Sequence, residues 1–188
     1  MALIRLNNQS LTNVTALPSA ALSQAGKVLQ VQYTQFDAIN NITVGGANEV
    51  EFSDLSVNIT PTATNSIILL QAQVMGEFAS RNMNWNGVWY FRRDTTSLRH
   101  PAAGLGGRSC GIAVGYISHE SDNASTSEGV TYSYYDATHN TTSQVTYKVT
   151  FFSPNGAANY NLNHTVLDTN SSNYERFVSF ISATEIAG

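Results

Sequence analysis

The strongest constraint on the fold is a regular alternation of apolar and polar side chains between Ile67 and Phe78. Every second position in this stretch is apolar or small, namely Ile68, Leu70, Ala72, Val74, Gly76 and Phe78. Successive side chains of a β-strand point to opposite faces of a sheet, so a period of two predicts a strand. The pattern therefore predicts a long strand with one face in a hydrophobic core.

Shorter alternations recur along the rest of the chain. They predict further strands at 27–36, 55–60, 87–93, 112–118, 130–136, 144–152, 159–164 and 177–186. Leu29, Val31 and Tyr33 are expected to lie on one face of their strand. In another strand, Val145, Tyr147, Val149 and Phe151 are expected to point inward. Loops rich in Asn, Gly and Ser separate the strands, and no amphipathic helix lies between them. We therefore predict an all-β, antiparallel, jelly-roll-like β-sandwich, with an immunoglobulin-type sandwich as the alternative.

The first 26 residues differ from the rest of the chain. Their apolar residues follow neither the strand period nor the helix period, and the segment contains one charged residue, Arg5. The sequence thus predicts two parts, an extended N-terminal anchoring arm at 1–26, with a short helical turn near 19–24, and the sandwich at 27–188. We expect the arm to bind a partner through Leu3, Ile4, Leu6, Leu11, Val14 and Leu17.

The charge content excludes several kinds of partner. Only 12% of the 188 residues are charged, and 9 Lys and Arg residues face 13 Asp and Glu residues. No basic run longer than Arg92-Arg93 occurs, so nucleic-acid binding is not expected. No apolar stretch is long enough for membrane insertion, and the N-terminus lacks the pattern of a signal peptide.

Metal and cofactor sites are not predicted. The chain has one cysteine, Cys110, and four separated histidines. His119, Glu120 and Asp122 lie close together, but their spacing is not that of a calcium loop. We expect Cys110 to serve as a small apolar residue rather than as a reactive thiol.

Two patterns are compatible with enzymes, but neither has the context that catalysis requires. Residues 107–111 match the G-x-S-x-G nucleophile elbow around Ser109, yet a loop precedes them and no helix follows. Asp136 and His139 have the chain order of the other triad members, but they lie only three residues apart. A glycoside hydrolase needs two carboxylates at a defined separation, and no spacing selects a pair from Asp54, Glu77, Asp94 and Asp136. The sequence therefore predicts a glycine-rich loop and no enzyme.

The most binding-like element surrounds Trp85. Asn82, Asn84 and Asn86 flank this tryptophan, and together they combine an aromatic face with neutral hydrogen-bonding groups. That combination suits a glycan, and four tyrosines are candidates to extend the surface: Tyr132, Tyr134, Tyr135 and Tyr160. Alternatively, Trp85 covers one end of the sandwich. Trp89 is expected in the core.

Four segments resemble small structural proteins of tailed bacteriophages, especially marine phages and cyanophages. They read LIRLNNQSLTNVTALP, GKVLQVQYT, LSVNITPTATNSIILLQAQV and SFISATEIAG. Such proteins are usually described as tail-fibre or virion structural proteins, and the arrangement is also similar in fold to the trimeric jelly rolls of the tumour-necrosis-factor and complement type. The resemblance covers about half of the chain; residues 80–175 show little of it.

The resemblance implies a non-enzymatic protein of the virion surface. Such a protein would be synthesised in the host cytoplasm and released by lysis without a signal peptide. We expect a homotrimer attached through its arm to other virion proteins, with the loops of residues 80–129 pointing outward and a host surface glycan as ligand. A tail-fibre or receptor-binding role is favoured over capsid decoration. A glycan-cleaving virion enzyme and a cellular lectin-like module are the alternatives of other classes.

Overall fold

The computed structural model describes residues 25–80, 82–101, 106–115 and 125–188, apart from the side chain of Asn84. These residues form ten strands and one helical turn. In chain order they are β1 (Val28–Phe36), β2 (Asn40–Val44), β3 (Glu49–Ile59), β4 (Ile67–Phe78), α1 (Asn82–Asn86), β5 (Val88–Arg93), β6 (Thr96–Leu98), β7 (Glu128–Asp136), β8 (Val145–Phe152), β9 (Ala158–Leu162) and β10 (Ser179–Ile186). All pairings between these strands are antiparallel, which confirms the predicted all-β class.

The six-stranded sheet is organised around β4, the strand with the clearest alternation. One side of β4 pairs with β7, and its other side pairs first with β10 and then with β9. Outside these, β1 pairs with β10 and β2 pairs with β9. β1 and β2 therefore lie end to end and occupy one strand position of the sheet, which we call a strand line. β9 and β10 form a second strand line, and both lines are interrupted near the same point.

The four-stranded sheet has the strand order β3, β8, β5, β6. Phe52 of β3 lies opposite Val149 of β8, which in turn lies opposite Phe91 of β5. These residues are fully buried, and they face the core between the two sheets. Their inward neighbours on β8, Val145, Tyr147 and Phe151, are buried as predicted.

Aromatic rings from both sheets fill one end of the core. Trp89, which the sequence places in the core, lies 4.8 Å from Phe151, 5.1 Å from Phe52 and 5.5 Å from Tyr160 between ring centroids. Phe78 of β4 contacts Tyr160 at 4.6 Å. Tilted and edge-on pairs of this kind each contribute about 1 kcal/mol beyond the burial of their area. This cluster supports the segment that follows β4.

Several sequence-based expectations need correction. Residues 112–115 form no strand, because Ala113 makes only an isolated bridge to Trp89, and residues 116–118 lie outside the described part. The short β2 and β6 were not predicted, since three to five residues are too few to reveal a period. Val31 and Tyr33 share a face as expected, but that face is exposed rather than part of the core. Leu29 does not share it, because a register shift between Val28 and Gln30 places Val28 on that face instead.

The N-terminal arm lies almost entirely outside the described residues, which begin at Ala25. The six residues predicted to bind a partner and the helical turn predicted at 19–24 are among those not described. The next residue, Gly26, donates its N–H to the carbonyl oxygen of Ala187 at 2.8 Å, so the described chain starts at the β1/β10 edge. Among the described residues, no helix has the length and apolar character needed to cross a membrane.

Candidate functional site

Trp85 projects from the helical turn α1 that connects β4 to β5. The turn is fixed from below by Met83, whose side chain is buried in the core, and its N–H bonds to the carbonyl oxygen of Ser80 at 3.1 Å. Asn155 fixes the turn from the side, because its amide donates to the carbonyl oxygen of Asn82 and lies 3.5 Å from the amide of Asn86. The Trp85 side chain is nevertheless 67% exposed. An indole ring is thus held outside the core on a well-anchored support.

Gly87 explains how the chain turns so sharply after Trp85. A Cβ atom at this position would overlap the Phe151 ring and the carbonyl oxygen of Met83. Only glycine allows the backbone to pass this close to the core ring. The tight exit from α1 therefore leaves Trp85 at the surface while Trp89, four residues later, is buried.

A cleft of about 410 Å³ lies beside Trp85. Its walls are Trp85, Asn86, Val88, Arg108, Ser109, Val114 and Pro154. Arg108 and Ser109 also line a neighbouring cavity of about 480 Å³ that contains His100 and Cys110. The segment 107–111 thus forms a ridge between two depressions, and the Trp85 cleft is the one that combines an exposed aromatic ring with polar groups.

The Trp85 cleft has the chemistry of a sugar-binding surface. An indole face can stack on the apolar face of a pyranose ring, and amide and hydroxyl groups can exchange hydrogen bonds with sugar hydroxyls. Asn86 and Ser109 supply such groups, and Arg108 adds a positive charge.

The structure brings together some of the predicted binding residues and separates others. Asn82 and Asn86 are exposed on the same turn as Trp85. The side chain of Asn84 is outside the description. Arg108, Pro154 and Asn155 were not predicted, because they come from loops distant in sequence and carry no pattern that marks a site.

The expectation that four tyrosines extend this surface is wrong: two of them are buried, and the other two lie opposite Leu69 and Leu70, at the end of β4 away from α1. Tyr132 and Tyr160 are buried between the sheets, and Tyr132 donates its hydroxyl to the carbonyl oxygen of Tyr90 at 3.1 Å. Burial raises the pKa of both phenols well above the usual value. Tyr134 is half-buried, and Tyr135 is exposed on the outer face of the six-stranded sheet. All four are strand residues of the six-stranded sheet rather than loop residues.

The G-x-S-x-G pattern does not form the backbone of a nucleophile elbow. Residues 106–115 contain no helix after Ser109, and the residues directly before 106 lie outside the described part. Asp136 and His139 have other partners. Asp136 accepts from Arg93 and Tyr147, and Nε2 of His139 lies 2.8 Å from the backbone oxygen of Ser66. Ser109 instead lines the Trp85 cleft.

The four candidate carboxylates serve as hydrogen-bond acceptors at separate places. Asp54 accepts from Asn40 at 2.6 Å, and Asp94 accepts from the N–H of Thr146 at 3.0 Å. Asp136 lies opposite Ile68 at one end of β4, whereas Glu77 is near the other end. Nine residues of strand separate these two by about 30 Å, far beyond the spacing of about 5–10 Å that paired-carboxylate hydrolysis uses.

The described residues contain no cluster of metal ligands, and the single cysteine is buried. Within residues 25–80, 82–101, 106–115 and 125–188, no three His, Cys, Asp or Glu side chains come together to hold a metal ion. His119, Glu120 and Asp122 lie outside this part. Cys110 is buried, with its sulfur 3.4 Å from the carbonyl oxygen of Arg108, as expected for a small apolar residue.

Comparisons with protein families and with curated proteins found no match for the chain. A functional proposal therefore depends on the residues of the site, on the fold and on the resemblance of the four sequence segments.

Proposed function

We propose that this chain is a non-enzymatic bacteriophage virion surface protein that binds a host glycan at the Trp85 cleft. The observation that carries the proposal is the 67% exposure of Trp85 on a turn anchored by the buried Met83. An exposed indole ring loses the free energy that burial would provide, and rigid exposed aromatics are enriched where proteins bind ligands and partners. The adjacent Asn86 and Ser109 provide the polar contacts that a sugar requires.

The strand order supports a jelly roll as the scaffold. If β1 and β2 count as one strand line, and β9 and β10 as another, the two sheets have four lines each. Numbered along the chain, the lines follow the order 1-8-3-6 in one sheet and 2-7-4-5 in the other. Eight antiparallel lines in two packed sheets are the architecture of jelly rolls, which occur in viral capsid proteins and lectins. Both groups agree with a glycan-binding virion protein.

The virion assignment and the homotrimer come from the resemblance to tailed-phage structural proteins. The anchoring arm suits this assignment, since Leu3, Ile4, Leu6, Leu11, Val14 and Leu17 are apolar residues that need a partner surface. We place the protein in a tail fibre, with its arm on another virion protein. Capsid decoration is the second candidate, because the same arm would also fasten neighbouring capsid subunits.

Copy number per particle separates the two positions. Quantitative mass spectrometry of purified particles would give a few tens of copies or fewer for a tail protein and hundreds for a capsid decoration protein. A count in the hundreds would overturn the tail assignment.

The glycan-binding proposal is tested by Trp85→Ala. Loss of the stacking face should weaken binding to host surface polysaccharide at least tenfold and lower adsorption to host cells, without a change in melting temperature. Leu167→Ala is the matched control, since Leu167 is also exposed and apolar but does not line the cleft. Equal binding by both variants would contradict the site, and release of new reducing ends from the polysaccharide would contradict the non-enzymatic assignment.

A further inference from the structure

The two outer faces of the sandwich differ in charge. The outer face of the four-stranded sheet carries Glu49, Glu51, Arg92 and Lys148, which pair across strands; Lys148 lies 2.5 Å and Arg92 3.2 Å from Glu51. The register of the six-stranded sheet places a very different set on its outer face. We call this set the uncharged face: Val28, Val31, Tyr33 and Gln35 of β1; Phe180, Ser182, Thr184 and Ile186 of β10; Ile67, Leu69, Gln71, Gln73 and Met75 of β4; and Gly129, Thr131, Ser133 and Tyr135 of β7.

None of these described positions is Asp, Glu, Lys, Arg or His, and more than half are apolar or aromatic. Glu77, the next outward position of β4, is not part of the exposed face, because it is buried and accepts from the N–H of Val166. The apolar residues concentrate toward one end. One cross-strand row runs Val31, Thr184, Leu69, Tyr135, and the next row contains Val28, Ile186 and Ile67. Val31, Tyr33 and Tyr135 are 54%, 74% and 63% exposed. An exposed surface of this composition is typical of an interface.

The uncharged face is large enough for stable association. Four strands about 4.8 Å apart and about 27 Å long cover roughly 500 Å² in projection, before the relief of the side chains is counted. A standard protein interface buries about 800 Å² per partner. With the relief of the side chains added, the face lies at the lower end of the range of standard interfaces.

Charge indicates which partner suits the face. Association of identical chains brings identical groups close together, so a face with one sign of charge repels its own copy. The uncharged face has no such penalty, and its Gln, Ser and Thr side chains both donate and accept hydrogen bonds. The outer face of the four-stranded sheet already uses its charges internally, as Arg92 and Arg99 both contact Glu49.

We propose that the uncharged face is the surface through which copies of this chain associate. This inference rests on the self-association included in the proposed function and assigns it a location. Residues 1–24 are the rival occupant, because the described chain begins at the β1/β10 rim of the same face. The test below distinguishes the two.

The experiment measures molecular mass by light scattering and sedimentation for the full chain, Val31→Glu and Tyr135→Glu. Both residues are exposed, so each variant should fold, and a charge at an uncharged interface should weaken association at least tenfold. Leu167→Glu is the control, since Leu167 is 47% exposed and lies outside the face. Circular dichroism checks the fold of each variant.

A wild-type chain that stays monomeric at about 100 µM would overturn the inference, as would variants that associate as the wild type does. Loss of association on deletion of residues 2–20, with Val31→Glu unaffected, would overturn it in favour of the N-terminal segment. Glycan binding is measured on the same samples. A wild-type monomer that still binds glycan through Trp85 would leave the proposed ligand site intact while removing the interface.

Discussion

Buried carboxylates act as clamps for loops in this charge-poor chain. Asp136, Glu185 and Glu77 are buried, and each accepts hydrogen bonds from backbone N–H groups outside its own strand. Asp136 accepts from Thr138 at 2.9 Å, Glu185 from Thr62 at 2.7 Å, and Glu77 from Val166 at 2.7 Å. A carboxylate that accepts several such bonds remains ionised when buried. These three acidic residues thus connect loops to the sheets.

Acid should destabilise the protein through two of these groups. Burial by itself would raise the pKa of Asp136, but hydrogen bonds from Thr138 and Tyr147 and the charge of Arg93 outweigh it and lower the pKa. Burial likewise opposes the bonds from Gln30 and Thr62, which lower the pKa of Glu185. A carboxyl whose folded-state pKa is lowered stabilises the fold above its unfolded value of about 4, and this contribution is lost as the pH falls below it. Urea unfolding at pH 7, 4 and 3 should show stability falling over this interval.

Asp136→Asn tests the strongest of the clamps. The variant leaves the Arg93 guanidinium, 2.6 Å away in the wild type, without its carboxylate, and should lose about 3 kcal/mol at pH 7. The difference from wild type should shrink as the pH falls below about 4, because Asp136 becomes protonated first in the unfolded chain and, at lower pH, in the folded chain as well. Asp54→Asn, at a partly exposed acceptor, should cost less than about 1 kcal/mol. A pH-independent difference for Asp136→Asn would contradict the role of its charge.

Gly76→Ala tests the closest approach of two strands. A Cβ at Gly76 would overlap the carbonyl oxygen of Asn161 and lie 3.0 Å from the Tyr160 ring. We expect a loss of about 3 kcal/mol from overpacking, measured by urea unfolding. Gly107→Ala is the matched control, because a Cβ there meets no atom within 4 Å. Equal stability of the two variants would mean that β9 can move away from β4 without cost.

At the scale of elements, one polar joint explains why two strand lines break at the same place. Asn163 follows β9 and adopts a φ of 64°, and its amide donates to the carbonyl oxygens of Phe36 and Ala38 at 2.7 and 2.9 Å. Its side-chain oxygen accepts from Ser179, which accepts in turn from the N–H of Met75 at 2.9 Å. The joint therefore connects β1, β4, β9 and β10. The amide of Asn163 thus bonds carbonyl oxygens at the break between β1 and β2. Residues 164–178 form the connection from this joint to β10.

Substitution of Asn163 should separate its two roles. Asn163→Ala removes buried hydrogen bonds and places a Cβ residue without local compensation in the left-handed region, at an expected cost of about 3 kcal/mol. Asn163→Gly loses the same bonds but relieves the backbone, so it should be about 1 kcal/mol more stable than the alanine variant. Thermal and urea unfolding measure both. An alanine variant at least as stable as the glycine variant would refute backbone strain at this joint.

At the scale of the whole molecule, the sandwich separates its interactions by surface. The core lies between the sheets, the ion pairs cover one outer face, the uncharged face covers the other, and the Trp85 cleft lies at the end where β4 leads into β5. In the proposed virion, self-association through one surface leaves the cleft available to a glycan. Copies held together would also bind a glycan-coated surface more tightly than one copy, because binding at further sites becomes intramolecular.

Deletion of residues 2–20 tests the division between arm and sandwich. If the arm and the sandwich are separate parts, as the sequence predicts, the deletion should leave the melting temperature within about 2 °C of the wild type. If the arm is the anchor, incorporation into phage particles should be lost in a complementation assay with tail assembly. Incorporation at the wild-type level would contradict the anchor, and a large fall in melting temperature would show that the arm belongs to the sandwich.

The sequence by itself determined the class of the fold and much of its core. The alternations in β4 and β8 identified buried faces correctly, because a half-buried strand imposes a period of two wherever it lies in a sheet. The period of two could not distinguish a core face from an exposed uncharged face, since Val31 and Tyr33 alternate in the same way as buried residues.

Only the tertiary structure decided what those faces meet. The Trp85 cleft needs Arg108 and Pro154 from loops separated from α1 by many residues, and the uncharged face appears only when β1, β10, β4 and β7 are placed in register. The tyrosine predictions at 132 and 160 failed for the same reason. Strand pairing brings together residues that are distant along the chain, so no local pattern records which side chains share a surface.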